Sequence, residues 1–204
     1  MRGIAIILEG GGRGQATKAA LRQGMDAFLR PLKQAARAKA LHWRLVCCGS
    51  RRETFRKFEY STGNGEDMVV LLVDAEGPVV ERPREHLHSR DGWDLNFASS
   101  DSVHLMVQTM EAWIVSDSDA LSRYYGQGFN RAALPRTENL ESVSKLDVER
   151  SLRQATEHTQ KGRYQKIRHA RDLLGMINVE ETKRRCRHCA PLFHVLGQLI
   201  EETD

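Results

Sequence analysis

Three features of the chain predict an α/β fold, with a mostly parallel sheet, helices on both faces and a helical C-terminal portion packed on it. Short apolar runs at residues 4–8, 43–47, 68–73 and 103–108 alternate with segments of helical periodicity, the pattern of a β-α-β-α chain. The run Met68-Val69-Val70-Leu71-Leu72-Val73 is apolar at every position, so it reads as a strand buried on both faces. From Pro135 onward no such run recurs and the periodicity is helical. Residues 1–134 are therefore expected to form the α/β core, and residues 135–204 a helical portion of the same compact unit. A chain of 204 residues is long enough for one such core.

The first strand runs into Glu9 and the loop Gly10-Gly11-Gly12-Arg13-Gly14. This loop lacks the Gly-Lys-Ser/Thr close of a P-loop and the third glycine of the dinucleotide pattern. Its backbone amides and Arg13 can still approach a phosphate; a tight strand-to-helix turn explains it equally well. Leu21, Met25, Phe28, Leu29 and Leu32 recur at helical spacing and predict a long helix over residues 15–40, kinked or divided at Pro31. After the second strand, Ser50 and Glu53 have capping-box spacing. They open a helix at Arg51, with Phe55 and Phe58 inward and Arg51 and Arg52 near the sheet edge. Residues 61–67 read as a polar loop, and Gly77-Pro78 as the stop of the central strand. A short helix over residues 80–88, a turn at Arg90-Asp91-Gly92-Trp93, the fourth strand and a helix burying Trp113 and Ile114 follow. Asp117 or Ser118 can cap a further turn. In the C-terminal portion Asp147 is expected to cap a helix to about Thr159. Residues 164–174 predict another, with Ile167, Ala170, Leu173 and Leu174 inward; Asn178 caps a third and Pro191 opens the last.

Composition narrows the class. No stretch approaches the run of about 18 apolar residues that spans a bilayer, and the N-terminus has no signal-peptide pattern. Four cysteines are too few and too irregular for a disulfide scaffold, which predicts a reducing cytoplasm. A net charge of +4 and a pI near 9.0 fit a polyanionic partner. Residues 145–190 carry twelve Lys/Arg against six Asp/Glu, an excess larger than that of the whole chain. The positive charge is thus concentrated in the helical portion, as a solvated face or as a nucleic-acid surface. Cys186-Arg187-His188-Cys189 has the spacing of a zinc half-site, which His188 and His194 could complete; packed thiols are the simpler reading.

Asp74 and Glu76 fall at the carboxyl end of the central strand, where ligands bind in open α/β sheets. Their i, i+2 spacing puts both side chains on one side if strand geometry persists. Two carboxylates that close call for a shared proton or a cation, and Mg²⁺, a hard ion taking oxygen ligands, suits them. A solvated Asp-x-Glu turn is the bland alternative. Glu9 delivers an acid to the same edge, and Glu111 is a third acid near a strand end.

The chain resembles a bacterial Toprim-like domain-of-unknown-function family that includes the RloG-type proteins and the Toprim effector of the PARIS antiphage system. The likeness rests on Leu8-Glu9-Gly10-Gly11-Gly12, Cys48-Gly49-Ser50-Arg51, Leu71-Leu72-Val73-Asp74-Ala75-Glu76-Gly77-Pro78 and Arg90-Asp91-Gly92-Trp93. Its most specific part is His104-Leu105-Met106-Val107-Gln108-Thr109-Met110-Glu111-Ala112-Trp113, followed by Leu134-Pro135, Lys145 and Tyr164-Gln165-Lys166. The resemblance implies a Toprim site that binds Mg²⁺ or Mn²⁺ and supports phosphodiester cleavage or nucleotidyl transfer. Glu9 matches its first acid, and Asp74 and Glu76 its acidic pair. Glu stands where that pair usually has a second Asp.

The leading expectation is therefore a metal-dependent nuclease acting on DNA or RNA, in antiviral defence. Asp74, Glu76, Glu9 and Glu111 would hold the metal, with Glu9 as ligand or general base. Catalysis would draw on Glu9, Glu111 and Lys166, with Lys166, Lys145 or Arg51 stabilising the phosphate. Arg13, Arg51, Lys145, Lys166 and Arg168 would contact nucleic acid. The alternative is a catalytically weak module that docks on an ATPase or sensor subunit. A second copy of the chain is a further expected partner. A nucleotide-binding protein is disfavoured because neither phosphate-loop pattern is met.

Overall fold

The structure, a computed structural model, describes residues 3–64 and 67–202. Four strands form one all-parallel sheet, consistent with a Toprim-like arrangement: β1 (Gly3–Glu9), β2 (His42–Gly49), β3 (Asp67–Asp74) and β4 (Val103–Met106), in the order β2-β1-β3-β4. Ile4 faces Trp43 on one side and Met68 on the other, and this register holds along the strands to Leu8.

The two-residue side-chain period sorts the strands onto two cores. Ile4, Ile6, Leu8, Val70, Leu72 and Met106 belong to the larger one. Helices α1 (Gln15–Phe28), α2 (Arg30–Ala38) and α5 (Met110–Ser116) cover it, together with the C-terminal helices. Ile7, Val69, Leu71, Val73, Val103 and Leu105 form the other, under α3 (Arg51–Gly63) and α4 (Pro83–Asp91). A sheet covered on both faces explains why β1 and β3, its two central strands, are apolar at nearly every position. Phe28 ties the larger core together, 5.2 Å from the Trp113 ring and 5.6 Å from Phe193, edge-on.

The remaining elements are α6 (Ser118–Tyr125), α7 (Lys145–Thr156), α8 (Lys166–Leu174), α9 (Val179–Arg185) and α10 (Cys189–Glu201). The larger core runs through both halves of the chain, from Ile4 to Ile200. Gly24 of α1 sits against α8 so closely that a Cβ would lie 2.8 Å from the Arg171 Cα. No described helix is long and apolar enough to cross a membrane.

Several local expectations change. The helix over residues 15–40 is two helices broken at Leu29, and Pro31 sits in the first turn of α2, where its missing N–H costs nothing. The capping box at Ser50 is present, but α3 continues to Gly63, through the start of the expected loop; Gly65 and Glu66 of that loop lie outside the described residues. The helix expected over residues 80–88 starts later, at Pro83, and ends on Gly92 in the left-handed region. Ser144, not Asp147, caps α7: its hydroxyl accepts from the Asp147 N–H and donates to the Asp147 carboxylate. Asp117 and Asn178 cap α6 and α9 as expected. Ile167, expected inward, is 68% exposed.

His104 on β4 is buried, and its Nε2–H donates to the Asp101 carbonyl at 2.9 Å, since a carbonyl only accepts. Burial pushes its pKa down to about 4. The unfolded chain, with a His pKa near 6.5, therefore binds the proton first as pH falls. The stabilisation from a neutral His104 should be complete above about pH 6.5 and lost on approach to pH 4, up to about 3 kcal/mol. Urea unfolding of native protein and His104→Gln across that window should show the native protein losing more; parallel pH profiles would refute it.

Candidate active site

β1 and β3 are neighbours whose following helices leave to opposite faces, α1 to the larger core and α4 to the smaller. A crevice opens at such a switch point beyond the carboxyl ends of the strands. Gly10, Gly11 and Gly12, with φ of 113°, 84° and 62°, carry the chain across it in a conformation that glycine alone adopts at no steric cost. The resulting cavity of about 390 Å³ is lined by Glu9, Asp74, Glu76, Lys145, Lys166 and Arg171 and, among apolar side chains, by Leu21, Ile167 and Ala170.

Asp74 shares the parity of Val70 and Leu72, so its carboxylate points under α5 and α8. Oδ1 accepts from the Met110 N–H at the start of α5, at 2.7 Å. Lys166, the first residue of α8, places its ammonium 3.4 Å from Asp74 Oδ2 and 3.1 Å from Glu111 Oε2. The Thr109 hydroxyl reaches Glu111 Oε2 at 2.7 Å, and the Tyr164 hydroxyl donates to Glu111 Oε1 at 3.1 Å. Burial, then the Glu111 charge, raise the Asp74 pKa against the pull of Lys166. Burial would raise Glu111 too, but Lys166 and the Thr109 hydroxyl hold it below the usual carboxylate range. Burial would depress the Lys166 ammonium, yet Asp74 and Glu111 keep it well above its ordinary value. Tyr164, pushed far up by burial and by Glu111, stays a donor.

Glu9 shares the parity of Ile7 and meets α3 instead. Arg51 Nη1 lies 2.7 Å from both Glu9 Oε2 and the Asp74 carbonyl. Its Nε and Nη2 grip both oxygens of Asp91, at 2.9 and 2.7 Å, and its guanidinium stacks 5.1 Å over Trp93. Burial raises the Glu9 pKa; Arg51 opposes this, and the charges of Asp74 and Glu76 add to it. Glu76 lines the same cavity as Asp74 but not through strand geometry, because the strand ends at Asp74 and Glu76 turns into the left-handed region, φ 64°. Its N–H donates to the Gln108 carbonyl at 2.8 Å, and the Lys145 ammonium lies 2.6 Å from both of its carboxylate oxygens.

The model of a domain of unknown function, DUF4276, matches residues 8–197. The chain belongs to the DUF4276 family. No curated protein and no solved structure matches it. The DUF4276 match spans every residue of the cavity, from Glu9 to Arg171.

Within the DUF4276 region the structure brings Glu9, Asp74, Glu76, Glu111, Lys145, Lys166 and Arg51 to one sheet edge. Arg13 is exposed on the glycine loop and Arg168 on α8, outside the cavity wall. Among the described residues no three His, Cys, Asp or Glu side chains are grouped to hold a metal. The donor set is nonetheless all hard oxygen, which fits Mg²⁺ or Mn²⁺. The cations Arg51, Lys145 and Lys166 stand on the carboxylates, so a metal there requires an ammonium group to turn aside. Cys186 and Cys189 are buried, and His188 is held by Glu141 at 2.8 Å. Asp91, Thr109 and Tyr164 are site residues that the sequence reading did not assign; their nearest signal was their place in the Arg90–Trp93, His104–Trp113 and Tyr164–Lys166 stretches.

The two kinds of ion pair should differ in stability. Arg51→Met leaves Glu9 and Asp91 without their shared cation and should cost about 3 kcal/mol. Lys145→Met breaks a partly exposed pair, with side chains 28% and 24% accessible, and should cost at most about 1 kcal/mol. Urea denaturation of both variants checks this; equal losses would refute the distinction.

Proposed function

We propose that this protein is a metal-dependent nuclease of the Toprim-like kind, related to RloG-type proteins and to the Toprim effector of the PARIS system. It would hydrolyse phosphodiester bonds of nucleic acid in the reducing cytoplasm, as an antiviral effector. The observation that carries the reading is the convergence of Glu9, Asp74, Glu76 and Glu111 with Lys145 and Lys166 at the carboxyl edge of a parallel sheet.

Asp74, Glu76 and Glu9 would hold Mg²⁺ or Mn²⁺, with Glu111 beside them. Such an ion, when bound, offsets phosphate charge and lowers the pKa of a water. The chain's own groups do the rest. Glu9, whose carboxylate pKa burial raises, suits proton transfer as general base. Lys166 and Lys145 can leave their carboxylates for the oxygens of the reacting phosphate, where charge develops. Thr109 and Tyr164 keep Glu111 oriented. Arg13 and Arg168, exposed outside the cavity lining, would meet flanking phosphates.

A second reading has its own support. Each carboxylate is already matched by a cation, so the site rests in a neutralised state. That suits a module kept silent until an ATPase partner or a second copy of the chain rearranges it.

Labelled tRNA, plasmid and single-stranded DNA incubated with Mg²⁺ or Mn²⁺ test the hydrolytic reading. Asp74→Ala should abolish cleavage and leave nucleic-acid binding unchanged or slightly tighter, since one repulsive charge is gone. Arg168→Gln should instead weaken binding and reduce its salt slope by about one. Cleavage that persists in Asp74→Ala without metal would overturn this mechanism.

A further inference from the structure

The cavity lining is chemically mixed, and the nuclease reading uses only its charged part. Besides Lys145 and Lys166 the lining includes Leu21, Ile167 and Ala170. Leu21 and Ala170 belong to the buried core, whereas Ile167 is 68% exposed. An isoleucine in the first turn of α8 gains nothing there from core packing. It does add apolar surface to the lining of the cavity, one residue after Lys166. The volume of about 390 Å³ lies near the lower end of small-molecule pockets. A duplex, rigid and wide, cannot enter such a space; a single unpaired nucleotide can.

We propose that the cavity takes one unpaired nucleotide, its phosphate toward Lys145 and Lys166 and its base against Leu21, Ile167 and Ala170. The substrate class is then single-stranded or looped nucleic acid rather than duplex. This rests on the nucleic-acid reading above and deepens it. The mixed lining matches the two ends of the ligand: cations meet the phosphate, and a flat base covers the exposed side chain of Ile167.

Calorimetric titration of the full chain in Mg²⁺ buffer with AMP and with ribose 5-phosphate isolates the contribution of the base. AMP should bind about tenfold more tightly. Ile167→Ser should bring AMP close to the affinity of ribose 5-phosphate and leave the sugar phosphate within about twofold of native. Because Ile167 is exposed, the variant should melt as native protein does, and Ile167→Leu should restore the preference for AMP. Equal affinities for the two ligands, no detectable AMP binding, or a preference that survives Ile167→Ser would overturn the inference. No turnover is needed, so the two readings can fail separately. Cleavage of single strands and duplex alike without a base preference would leave the nuclease standing alone. A base preference without cleavage would leave the nucleotide pocket standing alone.

Discussion

A carboxylate at the end of an apolar strand costs several kcal/mol to desolvate unless a cation meets it. Four such groups, Glu9, Asp74, Glu76 and Glu111, crowd the carboxyl edge of this sheet, and the arrangement around it follows from their neutralisation. Arg51, Lys145 and Lys166, the cations that meet them, are the first residues of α3, α7 and α8. That is an unfavourable place for a positive side chain, since the positive end of the helix dipole lies there, at about 0.3–1 kcal/mol. At Arg51 the unfavourable local choice is accepted because breaking its buried pairs costs about 3 kcal/mol; at the partly exposed Lys145 the pair returns at most about 1 kcal/mol. The N-termini of α3, α7 and α8, and that of α5 through Met110, thereby converge on one acidic edge.

This convergence also explains the closeness of α8 to α1. Lys166 reaches Asp74 and Glu111 only if α8 lies low against the larger core. Gly24 permits that approach, and Leu173, Leu174 and Ala170 are buried by it. The C-terminal helices are thus part of the site, supplying Lys145, Tyr164 and Lys166 to acids carried by the sheet and α5.

The strands were legible because a parallel sheet covered on both faces leaves unbroken apolar runs. The caps at Ser50, Asp117 and Asn178 were legible because their side chains bond neighbours two or three residues away. Ile167 was misplaced because apolar spacing marks a face without saying whether a neighbouring element covers it. The strand geometry on which the shared side of Asp74 and Glu76 depended does not persist, because Glu76 takes a left-handed φ, rare for a residue with a Cβ and invisible in composition; both still line one cavity. Glu9, Asp74, Glu76, Glu111 and Lys166 could be named in advance as acids at strand ends, or through family likeness. Asp91 and Tyr164 could not, since their partners Arg51 and Glu111 lie 40 and 53 positions away. Only the topology brings them together.

The choice of cation divides the labour within the site. Arg51 is held by both oxygens of Asp91, by Glu9, by the Asp74 carbonyl and by the Trp93 ring. A planar guanidinium with that many directed bonds has one geometry and acts as a fixed strut. Lys145 and Lys166 are point charges on flexible stems, and the Lys166 side chain remains 42% exposed. Its 3.1 and 3.4 Å contacts to two carboxylates show an ammonium shared rather than locked. An ammonium can exchange a carboxylate for a phosphate oxygen by rotating about its own stem, whereas Arg51 would have to abandon several bonds at once. On the nuclease reading, the strut keeps the sheet edge rigid while the two lysines move from resting neutralisation to substrate. Arginine at either lysine position would bind its carboxylate with two directed bonds and resist that exchange.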